Sequence, residues 1–201
     1  MAVIERLVIE ADDATAAETF YKEAFDLDDT IQVRGSSSPT TGFRGFAVSL
    51  VVAQPSTVDS LFESAVAAGA TATKQPSRSF WGYGAAVQAP DGTVWTLASS
   101  SKKETGPATR AVDDVVLLLG VEDVKASKQF YVDRGLAVVK SYGGKYAELE
   151  TGDRVKLALS PRKVAAKNAG VALEGNGSHR LVVVGDLGTL TDPDAFSWET
   201  A

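Results

Sequence analysis

The chain has 201 residues, room for two units of about 100 residues each, and an ordinary globular share of hydrophobic residues, 44%. It has no Cys, which excludes disulfides, thiolate nucleophiles and zinc–thiolate centres. A net charge of −6 without any Lys/Arg-rich run argues against a nucleic-acid partner, and no apolar run approaches the roughly 20 residues of a membrane span, so no membrane partner is expected.

The opening MAVIERLVIEADD carries acids too early for a secretory signal. Val3 to Glu10 predicts a first strand instead, and with the absence of Cys a cytoplasmic location is expected. Asp12 or Asp13 caps a helix running to about Phe25, whose apolar face is Ala16, Ala17, Phe20 and Ala24. Thr30 to Arg34 reads as a strand and Gly35 to Gly42 as a loop. Phe46 to Ala53 is a strongly apolar strand. Ser56 is the expected cap of the next helix, with Val58, Leu61, Phe62, Ala65 and Ala68 at helical spacing and Gly69 at its C-terminal end. Strands follow near 71–75, 84–89 and 93–99, the last two joined by the turn Pro90-Asp91-Gly92. Ser99 to Arg110 is polar and carries Gly-Pro, as a linker does.

Beyond it the pattern restarts. Val112 to Leu119 predicts a strand and Asp123 caps a helix through Arg134. Strands are expected near 136–141, 145–151 and 154–160, a short helix over 162–168 and a loop over 170–178. A strand over 179–185 and a final one ending at Glu199 complete the chain. The restart is a repeat. Ala16-x-x-x-Phe20-Tyr21 matches Ala126-x-x-x-Phe130-Tyr131, and Pro90-Asp91-x-x-x-Trp95 matches Pro193-Asp194-x-x-x-Trp198. The lobes expected are 1–99 and 111–201, joined by a linker over 100–110.

This repeat resembles the vicinal oxygen chelate superfamily of glyoxalases, bleomycin-resistance proteins and extradiol dioxygenases. The stretches Ser79-Phe80-Trp81-Gly82-Tyr83-Gly84, Pro90 to Trp95, Phe130 to Leu136 and Thr191 to Glu199 carry the likeness. It implies an α+β fold of two glyoxalase-like lobes, built from paired βαβββ modules with curved mixed sheets. It also implies a small-molecule ligand and commonly a homodimer. The chain departs from the full pattern: two strands are missing from lobe one, expected between Arg34 and Phe46, and a helix and middle strands from lobe two, between Gly185 and Asp192.

Metal-dependent members hold a divalent ion with His, Glu or Gln from four strand positions. In lobe one these positions fall at Arg6, about Ala47 and Thr96, none of which anchors a cation. In lobe two Val116 and the neighbourhood of Ala158 are apolar, while His179 and Glu199 stand where ligands would. Two ligands fall short of the three a catalytic site usually keeps. The favoured expectation is therefore a metal-free protein binding a small hydrophobic or aromatic molecule, in a sequestering or resistance role. The alternative is a metal-dependent enzyme of the glyoxalase or dioxygenase kind using His179 and Glu199, with a divalent ion as cofactor. Candidate ligand-binding residues are Trp81, Tyr83, Arg6, Glu10 and Tyr146. Each also has a plain packing reading: Trp81 and Tyr83 as lobe-interface core, Arg6 and Glu10 as a surface charge pair, Tyr146 as a cross-strand partner of Tyr142.

Overall fold

The computed structural model describes residues 2–27, 29–80 and 82–201. Trp81 lies outside the described residues. The elements run in order β1 (Ile4–Ala11), α1 (Ala14–Ala24), β2 (Ile31–Gly35), β3 (Thr40–Gly42), β4 (Phe46–Val51), α2 (Pro55–Ala67), β5 (Thr71–Ser79), β6 (Gly82–Gln88), β7 (Val94–Ser99). After the linker come β8 (Asp114–Val121), α3 (Val124–Val132), β9 (Ala137–Ser141), β10 (Ala147–Glu150), β11 (Lys156–Pro161), α4 (Arg162–Ala169), β12 (Gly175–Gly177), β13 (Leu181–Gly185), β14 (Leu190–Thr191) and β15 (Ser197–Thr200).

Two mixed sheets organise the chain. The larger has eight strands in the order β5-β6-β7-β4-β8-β11-β10-β9. Its halves are alike: β7 lies parallel to β4, and β11 lies parallel to β8. The halves meet where β4 and β8 pair antiparallel, from Phe46 against Leu119 to Val51 against Asp114. The smaller sheet runs β14-β15-β13-β1-β2 and repeats this plan with fewer strands. There β2 lies parallel to β1, β15 parallel to β13, and β1 joins β13 antiparallel. Each sheet therefore takes strands from both sides of the 100–110 segment. This is the expected α+β class with curved mixed sheets and shortened modules.

The shortening in the first half lies earlier than expected. β2 occupies beside β1 the place that β11 occupies beside β8. The missing strand pair, counterpart of β9 and β10, belongs between Ala24 and Ile31 rather than between Arg34 and Phe46. In the second half the loss falls where expected: a tight connection from Gly185 to β14 stands in for α2 and β5.

The core lies between the sheets and is built from the repeated residues. Tyr21 tilts against Trp95 at 5.2 Å, and Tyr131 against Trp198 at 5.5 Å. Both Trp side chains are essentially inaccessible. The tyrosine hydroxyls donate at 2.6 Å to Asp91 and to Asp192. The two turns thus offer non-equivalent acids to equivalent tyrosines. In the second repeat Asp194, the counterpart of Asp91, instead accepts from Ser127 Oγ and from the Glu122 amide. Burial, followed by the adjacent carboxylate, holds both phenols well above their ordinary pKa. Phe130 is only half-buried and stacks under the Arg134 guanidinium.

Three local expectations change. α2 is entered from Gln54, with Pro55 in its first turn, so Ser56 is not the cap. Ser56 receives Glu104 instead, and the buried Gln54 accepts from Thr105 and Gly106, which ties the linker to the second module. The loop over 35–42 contains β3, which pairs with β12 in the second loop. The strand expected from His179 begins at Leu181, because Arg180 adopts a left-handed backbone (φ 48) that interrupts extension.

Candidate functional site

Alternation along each strand divides the large sheet into two faces. Phe46, Val48 and Leu50 of β4 enter the core. Ala47, Ser49 and Val51 face the concave side, with Leu118, Val116 and Asp114 beside them on β8. α4 lies across one end of this concavity. Its Ala165, Ala166 and Ala169 pack on Phe43, Ala47 and Val94. Only small residues permit so close a seat: a methyl on Gly120 would fall 2.8 Å from Gly45 O and 3.0 Å from Arg162 Cα. At its far end Ala169 O accepts from Thr73 Oγ1 of β5 at 2.6 Å.

What α4 leaves open is a cleft of about 600 Å³, the size of a pocket for a small organic ligand. Val51, Ala98, Val116 and Leu118 form a half-buried apolar floor, with Ser49 and Thr96 hydroxyls between them. Neither hydroxyl has a side-chain hydrogen-bond partner among the described residues. Tyr146 and Asn168 stand at the wall. Burial, with Glu148 next, pushes the Tyr146 phenol up to about 12, so it is a donor at neutral pH. It donates toward Glu148 at 3.4 Å.

The sequence candidates separate. Tyr146 lines the cleft with its side chain. Tyr83 borders it, but pairs with buried Ser99, which alternates with Trp95 and Leu97 onto the core side, and donates at 2.8 Å to Asp59 of α2 on that face. Arg6 and Glu10 lie on the other sheet. Arg6 approaches Glu5 at 3.6 Å, and its Nε is buried without a hydrogen-bond partner among the described residues. Glu10 and Glu199 both hold Arg34, at 2.9 and 3.2 Å. Sequence reasoning missed α4 as a site-shaping element; the Ala-rich spacing of 165, 166 and 169 was the available signal.

The register shows which residues stand level where a chelated ion would sit. On the large sheet Val116 is level with Ser49, Lys156 and, across β4, Thr96. On the small sheet Arg6 is level with Val184, and Val184 with Glu199. Ser49 and Lys156, rather than Ala47 and Ala158, hold the level positions; on the small sheet Val184 does, rather than His179. His179 precedes its strand, stacks on Phe196 at 4.0 Å, and sets its ring nitrogens 2.5 Å from Arg44 O and 2.9 Å from Asp194 O. Carbonyls only accept, so whichever nitrogen carries the N–H gives it to one of them. One carboxylate beside an arginine on one sheet, and an ammonium among hydroxyls on the other, do not make the donor set a divalent ion needs. Among the described residues no group of three or more His, Asp or Glu is arranged to hold a metal. The residues present do not fit the ion that metal-dependent members carry.

No family model matches the sequence, and none of the curated proteins does. Solved structures do match. Glyoxalase I from Zea mays superposes with a TM-score of 0.63 at 16% identity, over 100% of this chain and 92% of that one. A mutant crystal form of the same maize protein gives 0.63 at 17%, again over 100% and 92%. The chain has the fold of glyoxalase I over its whole length. Among the described residues no helix is long and apolar enough to cross a membrane.

Proposed function

We propose that this protein binds a small, largely apolar organic molecule in the concavity of its eight-stranded sheet, without a metal ion, and so sequesters it. The observation that carries the reading is the floor itself: half-exposed Val51, Ala98, Val116 and Leu118 around hydroxyls that no other side chain among the described residues engages. Exposed apolar surface in a concave, walled site favours a ligand that removes it from water, at about 25 cal/mol per Å². The hydroxyls then orient the ligand through hydrogen bonds.

The test is a thermal-shift screen of planar aromatic compounds against the wild type and Val116→Trp. Val116 points from the floor, so an indole there fills the concavity without entering the core. A compound that raises Tm in the wild type and not in the variant supports the reading. Metal content after incubation with Fe²⁺, Mn²⁺, Zn²⁺ and Ni²⁺ and desalting is the counter-test. One retained equivalent that disappears in Glu199→Gln would overturn it in favour of a metal-dependent enzyme.

A further inference from the structure

Charge around the cleft is almost entirely neutralised within the protein. Lys156 meets Asp114 at 2.7 Å, and Glu148 has Lys140 at 3.6 Å as well as the Tyr146 hydroxyl. Lys74 differs. It is the single charged side chain lining the cleft among the described residues, and no hydrogen bond, ion pair or ring there engages it. Its backbone is fixed on β5 opposite Ala86, between two irregularities in the β5–β6 register. Its stem lies against Gly170, where an added methyl would come 2.5 Å from Lys74 Cγ. A flexible cation is thereby held by its stem at the mouth of an apolar cleft, in a chain whose net charge is −6.

Resting on the binding reading above, we propose that the ligand is an anion: an apolar body on the Val51–Val116 floor and a sulfonate-, carboxylate- or phosphate-like group on Lys74 Nζ. An unpaired ammonium at the rim costs little in the empty protein, because water solvates it. When an apolar body seals the cleft that solvation is reduced, and an anionic group on the ligand replaces it. A neutral ligand gains the floor alone. The carbonyl end of α4 also favours an ammonium at this place. A purely structural role for Lys74 therefore predicts lost stability on substitution, with no change in which ligands are preferred.

The experiment compares two fluorescent probes sharing an anilinonaphthalene body. These are 1-anilinonaphthalene-8-sulfonate and the uncharged N-phenyl-1-naphthylamine, titrated into the wild type, Lys74→Met, Lys74→Arg and Val116→Trp. The expected result is roughly fivefold tighter binding of the sulfonate by the wild type, the scale of one half-exposed ion pair. Lys74→Met should lose that preference with the neutral probe unchanged, and Lys74→Arg should restore it. Neutral binding without a sulfonate preference, or a preference that survives Lys74→Met, overturns the anion assignment and leaves the cleft as a binding site. Failure of both probes, or equal binding of both by Val116→Trp, overturns the cleft reading and the assignment with it.

Discussion

The eight-stranded and five-stranded sheets follow one plan and arrive at different surfaces. In each, two motifs meet about an antiparallel central pair, β4 with β8 or β1 with β13: four strands and four in the larger sheet, three and two in the smaller. Only the larger sheet keeps its outer hairpins, β5–β6 and β9–β10. Those hairpins raise the walls, and the concavity between them stays open. The smaller sheet has lost most of its outer strands. Its corresponding face carries buried Val8, Val182 and Val184, with Arg34 clasped between Glu10 and Glu199, and keeps only a smaller polar cleft of about 360 Å³. The central strands supply a floor, but peripheral strands make it a cleft.

The comparison can be broken most forcefully in the core that both sheets share. Trp95→Ala and Trp198→Ala should each cost about 3–5 kcal/mol of unfolding free energy in urea, within one cooperative transition. Two separate transitions in either variant would show that the sheets are independent units. Gly120→Ala should cost about 1–3 kcal/mol, because the added methyl meets backbone on both sides and α4 must lift. It should also alter affinity for the neutral probe, whereas a stability loss with unchanged affinity would separate α4 from the cleft.

The paired tyrosines sharpen the contrast. Tyr131→Phe should cost about 1–2 kcal/mol, since it strips one donor from the buried Asp192. Burial raises the Asp192 pKa above its reference of 3.8. A carboxyl with a raised folded value binds its proton more tightly when folded. Its contribution is complete below about 3.8 and fades as pH climbs through the folded value. Asp192→Asn should remove that decline from the stability–pH curve, and an unchanged curve would refute the assignment. The smallest effect belongs to the exposed ion triad. Arg34→Ala should change stability by about 0.5 kcal/mol or less, and a loss above about 1 kcal/mol would mean the small sheet depends on it.

Much of the fold was legible because its signals are local. Capping by Asp13 and Asp123, the helical Ala-x-x-x-Phe-Tyr pairs and the Pro-Asp turns are each set by neighbours in sequence. The site was less legible because it depends on register. One residue of alternation carries the Tyr83 hydroxyl to α2 instead of the cleft, and Arg180's left-handed backbone moves the start of β13 past His179. Composition shows neither. The seat of α4 is equally hidden: its alanines look like weak helix until Gly120 and Ala47 are known to lie beneath them.

The open sheet is continuous in sequence, from Phe46 to Pro161, and its outer strand pairs close through short connections. The small sheet must instead bring Leu7 to Val183 from opposite ends of the chain. Closing so long a loop is entropically costly and slow. The binding surface should thus mature before the terminal strands dock, and β1 and β13 should be the first to loosen. Amide hydrogen exchange would register this as earlier protection in β4 and β8 during refolding. The protein would then carry its proposed ligand site in a segment able to assemble while its own ends are still searching for each other.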